Sequence, residues 1–168
     1  MVGLDYVFIT SGGVVKKRRD MEEFAADDEG NDKLEEARAK GEVVKAVIIR
    51  CSSTKALFAH AVPCKGADEE DYVANLAVDD ILWLGHTEVI LKGDNEPALQ
   101  ALIERSMHLA RIKVMESNSA DGPRRLSKEE PATYDSQSNG GTEVGVMLVR
   151  GLFRTLKLCL EAKIGRYI

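Results

Sequence analysis

Asp5 lies within Leu4-Asp5-Tyr6-Val7-Phe8-Ile9, a run so apolar that an ionised carboxylate buried there would need a partner or a cation. Strand alternation puts it on the side of Val7 and Ile9; the bland alternative is a fraying strand end that touches water. Asp94 follows the contiguous apolar Val89-Ile90-Leu91 and precedes Pro97, in the crevice beyond the carboxyl end of a strand where open α/β sheets bind ligands. Capping the helix that follows is its ordinary alternative role. Glu143 stands at the start of a long periodic segment. At about 100° per residue, Arg150, Arg154 and Lys157 fall within roughly 40° of its direction, whereas Leu148, Leu152, Leu156 and Cys159 cluster opposite and are expected to pack. Two strand-end aspartates and a helix glutamate would supply the oxygen ligands that Mg²⁺ or Mn²⁺ requires, with substrate phosphate completing the shell. Two such ions about 3.5 to 4 Å apart clamp the attacking and departing oxygens of an in-line phosphoryl displacement.

The elements that must position these groups read as follows. Leu4 to Ile9 is a buried strand stopped by Ser11-Gly12-Gly13. Val43 to Arg50 and Leu57 to Val62 are two more strands, separated by a stretch suited to a hairpin. From Asp68 onward Val73, Ala77, Ile81 and Leu84 recur at helical spacing, with Tyr72 and Leu76 widening the stripe, until Gly85-His86 ends the helix. Glu88 to Lys92 is a strand covered on both faces. Pro97 opens another helix with Ala98, Leu99, Leu102 and Ile103 facing inward. Arg111 to Met115 alternates as a fifth short strand, Ser117 to Gly141 has the composition of a loop, and Thr142 to Ile164 is a final long helix. Three strands, then helix, strand, helix, strand and helix make a mixed α/β layout around one sheet.

A length of 168 residues suits one domain, and 44% hydrophobic with 30% charged residues suits a globular one. No apolar run approaches the roughly 18 residues of a membrane span, so no membrane partner is expected. The first residues lack the pattern of a secretory signal. Cys51, Cys64 and Cys159, odd in number and at unrelated spacings, point to a reducing, intracellular setting. The net charge of −5 disfavours a polyanionic partner only until its distribution is considered. Residues 20–42 hold ten acidic and three basic side chains, a local net of −7, so the remainder carries +2. We read residues 11–42 as a flexible acidic insertion in a single domain spanning 1–168.

With these residues in view the chain resembles the catalytic core of retroviral and retrotransposon integrases, Asp-Asp-Glu polynucleotidyl transferases with an RNase H-like fold. The resemblance rests on Asp5-Tyr6-Val7-Phe8, on Leu91-Lys92-Gly93-Asp94-Asn95-Glu96-Pro97-Ala98-Leu99, and on Gln137-Ser138-Asn139-Gly140-Gly141-Thr142-Glu143. The third stretch is the most specific, because these elements show Gln-x-Asn-Gly-x-x-Glu before the glutamate helix. The order of elements also agrees outside residues 11–42. The resemblance implies a five-stranded mixed sheet, three strands antiparallel and then two parallel, with helices on both faces. It makes Asp5, Asp94 and Glu143 the metal-binding catalytic carboxylates for two Mg²⁺ or Mn²⁺ ions with substrate. It also implies 3′-end processing and strand transfer on DNA, contacts to DNA from Asn139, Arg150, Arg154 and Lys157, and a homo-oligomer, dimer or higher. The implied location is the nucleus at integration and the cytoplasm otherwise.

The chain departs from the family pattern in three places. Val144-Gly145 follows the glutamate where a polar residue is usual, and a glycine in a first helical turn loosens it by roughly 0.5 to 1 kcal/mol. The 48 residues between Asp94 and Glu143 exceed the usual spacing, and the acidic insertion is unusual. His60, His86 and His108 are scattered, and His60 with Cys64 makes no zinc module. Two rivals follow: a catalytically decayed or domesticated nucleic-acid-binding module, and an RNase H-like nuclease, which needs a fourth carboxylate from Asp135 or Glu96.

Overall fold

A computed structural model describes residues 1–10, 13–15, 43–66, 68, 70–117, 122–129 and 140–167. The acidic run 20–42, Asp135 and Asn139 lie outside the described residues. Among the described residues six strands, β1 (Val2–Thr10), β2 (Gly13–Val15), β3 (Val43–Cys51), β4 (Leu57–Val62), β5 (Glu88–Lys92) and β6 (Arg125–Glu129), accompany three helices, α1 (Tyr72–Trp83), α2 (Pro97–Ser117) and α3 (Gly140–Ile164). The sheet runs β4-β3-β1-β5-β6, with β4, β3 and β1 antiparallel and β5 and β6 parallel to β1, and β2 pairs with β1 off this path. This is the five-stranded mixed α/β sheet expected, in a strand order compatible with an RNase H-like fold.

Period-two alternation sorts the sheet into two faces. Val2, Leu4, Tyr6, Val47, Ile49, Val89 and Leu91 face α1 and α2, which contribute Val73, Ala77, Ile81, Leu99, Leu102 and Ile103 to one buried cluster. Val7, Ala46 and Ile48 face the other way and meet Val146 of α3, flanked by Ile9, Leu57, Val149 and Phe153. Helices therefore cover both faces.

Four expectations change. Arg111 to Met115 belongs to α2, not to a strand. Its alternation coincides with the helical row Leu99, Leu102, Ser106, Ala110, and no proline or glycine interrupts Ala98 to Ser117. The last strand is instead Arg125–Glu129, inside the stretch read as loop; it carries one apolar residue, Leu126, as an edge strand can. A short β2 follows β1 where only insertion was expected. In α1 the helix starts at Tyr72, which is exposed, and Ala74 and Val78 complete the buried stripe. Asp71, just before it, adopts a left-handed conformation (φ 55°) and sends its carboxylate to Arg105 of α2 rather than to the helix amides. No helix among the described residues is long and apolar enough to cross a membrane.

Candidate active site

β1 gives one whole edge to β3. Its other edge is shared: β5 pairs at Val2 and Gly3, and β2 pairs at Phe8 to Thr10. Asp5 stands in the interval between them, 7% exposed, with Oδ2 below solvent reach. The register Val2 to Leu91 and Gly3 to Lys92, carried on two residues, sets Asp94 level with Asp5. Alternation also carries on. A Cβ at Gly93 would meet Leu99 Cδ2 at 2.7 Å and Ile103 Cδ1 at 2.9 Å, so position 93 faces α2 and position 94 falls on the face that Asp5 shares. Asp94 is exposed, its carbonyl accepting from Gln100 Nε2 at 2.7 Å. Because α2 begins at Pro97, Glu96 occupies the position next to the helix and Asp94 is left at the strand end.

The first turn of α3 lies over this face. Thr142 is buried against Gly3, where a Cβ would run into the threonine hydroxyl, so residue 3 must be glycine for α3 to start here. Glu143, the next residue, is exposed on the solvent side of that turn. Among the described residues no three His, Cys, Asp or Glu side chains form a group ready to hold a metal ion. The backbone thus brings Asp5 and Asp94 to adjoining strands and Glu143 to the overlying helix, without gathering the three carboxylates into a cage. The donor set suits Mg²⁺ or Mn²⁺: all oxygen, all carboxylate, with one face open to solvent.

Gly145 has a role that its sequence context hides. Its absent Cβ would come to 3.0 Å from Arg50 Cδ and 3.2 Å from Leu57 Cδ1, so the helix uses the glycine to lie close on β3 and β4. Arg50 reaches on to donate from Nη1 to the Gly141 carbonyl. The glycine of the Val144-Gly145 departure is thus a packing requirement set by Arg50 and Leu57, while Val144 is exposed.

The leucine row of α3 is not the packing face. Leu148, Leu152 and Leu156 are 50%, 59% and 67% exposed and Cys159 is exposed; the line against the sheet is Thr142, Val146, Val149 and Phe153, roughly a quarter turn away. Arg150 and Arg154 are exposed on the flank of Glu143. Lys157 is half-buried and lies 3.8 Å from Glu161 one turn on. Glu96, one candidate for a fourth carboxylate, is paired at 2.6 Å with Lys65, whose ammonium sits 5.4 Å from the centroid of the Tyr6 ring and 5.0 Å from that of Phe8.

Three groups escaped the sequence reading. Lys92 is buried and donates to Glu129 Oε1 at 2.6 Å; its signal was a cation closing the apolar Val89-Ile90-Leu91. Arg50 closes Val47-Ile48-Ile49 in the same way. Cys51 Sγ lies 3.2 Å from His86 Nε2. Burial pushes the Cys51 thiol up, but hydrogen bonds from the Thr54 side chain and amide, His86 and the Ser53 amide outweigh it and bring the pKa down to about 6. Nothing in residue spacing predicts that pair. Elsewhere burial raises Tyr6 to about 12 although the Gly66 amide donates to its hydroxyl. Burial also raises Asp80 against the opposing pull of His60 at 2.7 Å. Comparisons with known protein families, with curated proteins and with solved structures find no match to this chain.

Proposed function

We propose that this domain is the catalytic core of an integrase of the retrotransposon and retroviral type, carrying out metal-dependent 3′-end processing and strand transfer on DNA. The observation that supports the proposal is that Asp94, two residues past the end of β5, comes level with Asp5 of β1 when the β1–β5 register is continued, on the side of the sheet where the first turn of the helix carrying Glu143 packs against Gly3. The place of Asp94 beyond the end of β5, beside the point on β1 where its neighbour changes, is where sheets of this kind bind ligands. Asp5 and Asp94 would hold one Mg²⁺ or Mn²⁺, and Glu143 with one of the aspartates the second. When bound, the ions supply a polarised phosphoryl oxygen and an activated water or 3′ hydroxyl. The chain's own part is to fix the carboxylates: Gly3 admits α3, Arg50 ties its first turn to β3, and Gly93 lets β5 turn into α2. Arg150 and Arg154 on the exposed flank of α3, with Lys157 beside them, would meet DNA phosphates and add affinity without reading sequence. A homo-oligomer, dimer or higher, fits the exposed apolar row of the same helix.

The test is cleavage and joining of a labelled blunt DNA end in Mn²⁺, with Asp94→Asn and Glu143→Gln beside the parent. Release of a short 3′ fragment and joined products by the parent, lost by at least about a thousandfold in either variant, is the expected outcome. DNA binding without cleavage, with Glu143→Gln indistinguishable from the parent, would favour the decayed module, to which the ungathered carboxylates lend support. Cleavage without joining would favour the nuclease.

A further inference from the structure

Register places Leu57, Arg50, Gly3, Lys92 and Glu129 in one row across five strands, all on the face that α3 covers. In the middle of that row residue 3 is glycine, and the place of its side chain is taken by Thr142 of α3. Beside this contact lies a cavity of about 50 Å³ between the start of β1, Arg50, Ser52, Lys92, Gly141 and Thr142. That is several times what one water needs, about 10 to 15 Å³, and far below the roughly 300 Å³ of a typical small-molecule pocket. It has room for a tetrahedral oxyanion.

Its polar lining is cationic and donor-rich. The Lys92 side chain is 6% exposed; Glu129 takes one of its three N–H groups, which leaves two. Arg50 spends Nη1 on the Gly141 carbonyl, while its Nε is shielded from solvent with no hydrogen-bond partner among the described residues. Two cations thus flank Gly3 and the Thr142 side chain seated on it, and one of them keeps a solvent-shielded donor. Gly141 and Thr142 stand in the first turn of a 25-residue helix, where backbone amides have no intrahelical acceptor, and Thr142 adds a hydroxyl. The nearest carboxylate on this face of β1, Asp5, is two residues along the strand.

We propose that this cavity binds a phosphate group through Arg50, Lys92 and Thr142. The group arrives either as free phosphate or as a backbone phosphate of a nucleic-acid strand. The site is separate from the carboxylates and needs no metal. Its place next to Asp5 means that a strand seated in it would run on to the proposed catalytic groups, and only that last step rests on the proposed function.

The experiment titrates ¹⁵N-labelled protein, without metal and at constant ionic strength, with inorganic phosphate, with chloride, and with a short single-stranded oligonucleotide lacking terminal phosphates. Saturable amide shifts confined to Gly3, Gly141, Thr142 and their neighbours, given by phosphate and not by chloride, are expected. Arg50→Gln and Lys92→Gln should each weaken phosphate binding by about tenfold or more, since each removes a charged donor. Lys92→Gln decides the matter if Arg50→Gln fails to fold, because Arg50 also anchors α3. Shifts at the same amides from the oligonucleotide, competed by phosphate, identify the strand as the source; shifts from phosphate alone identify a free-phosphate site. Absence of saturable shifts, equal shifts with chloride, or unchanged affinity in a folded Lys92→Gln variant overturns the proposal. Asp94→Asn separates the two readings: it should abolish strand transfer and leave phosphate binding intact.

Discussion

The two faces of the central sheet are built to different ends. On the face toward α1 and α2, Leu4, Ile49, Leu91, Leu99, Leu102 and Ile103 are sealed from solvent and the contacts are almost wholly apolar. On the face toward α3 the apolar cluster is small, Val7, Ala46, Ile48 and Val146, and it gives way along β1 to Asp5 and then to the row of Arg50, Gly3 and Lys92. Buried charge costs stability and buried apolar surface supplies it, so one face holds the fold and the other can carry chemistry because the first does.

The sharpest way to break this contrast is to open the apolar face. Leu102→Ala should cost about 2 to 5 kcal/mol, since Leu102 is fully buried and the helix that carries it cannot collapse freely onto β5. Chemical denaturation of parent and variant checks it; a cost below about 1 kcal/mol would mean that this face is not the main source of stability.

The next effect belongs to the other face and has a different cause. Gly3→Ala places a methyl against the Thr142 hydroxyl, and overpacking of this kind costs about 1 to 3 kcal/mol. The strain should fall on the first turn of α3. Hydrogen exchange should therefore speed up at Gly141 to Val146 while Leu99 to Ala110 of α2 stays protected. Thr142→Ser removes only a methyl and should not reproduce it.

The unequal faces also explain how much could be read in advance. The apolar face wrote itself into the chain as β-branched runs and as the Val73, Ala77, Ile81 spacing, so β3, β4 and β5 were legible nearly to the residue, whereas β1 starts before Leu4 and α1 starts only at Tyr72, after the Asp68 from which its pattern was read. Asp5 and Asp94 stood out because each interrupts or closes such a run. Where burial is partial the pattern fails. Edge strand β6 is Arg-Leu-Ser-Lys-Glu, and the short strand β2 is specified by its pairing with Phe8 to Thr10 more than by its own three residues. In α2, Arg111-Ile112-Lys113-Val114-Met115 satisfies a period of two and a helical continuation equally, and only tertiary contact decides. Arg50, Lys92 and the Cys51–His86 contact are products of register, which no local spacing encodes.

Cys51 offers a pH test at the boundary between the faces, for it sits at the end of β3 against the apolar cluster while its thiol is held by polar groups. An ordinary thiol near 9 in the unfolded chain and about 6 in the fold means that the folded state favours the thiolate. The stability from this group is complete above the unfolded value, shrinks as pH falls through that window, and is gone below about 6. Melting temperature should therefore rise with pH across that window in the parent, and the rise should flatten in Cys51→Ala and in His86→Gln. An unchanged slope in both variants would show that the contact does not hold a thiolate.

The smallest effect is expected on α3, in the row that the helical wheel assigned to the core. Leu152 and Leu156 are more than half exposed, and the contact with the sheet runs through Val146, Val149 and Phe153. Leu152→Gln and Leu156→Gln should each leave the stability of a dilute monomer within about 0.5 kcal/mol of the parent, as surface substitutions do. If a second copy covers this row, the parent should gain stability with protein concentration and the double variant should not, because only the folded dimer is favoured by mass action. Denaturation at two widely separated concentrations, with sedimentation at each, distinguishes the cases. A loss above about 2 kcal/mol in the dilute double variant would put the leucines in the monomer's own core, and α3 would then seal its face of the sheet as fully as α1 and α2 seal theirs.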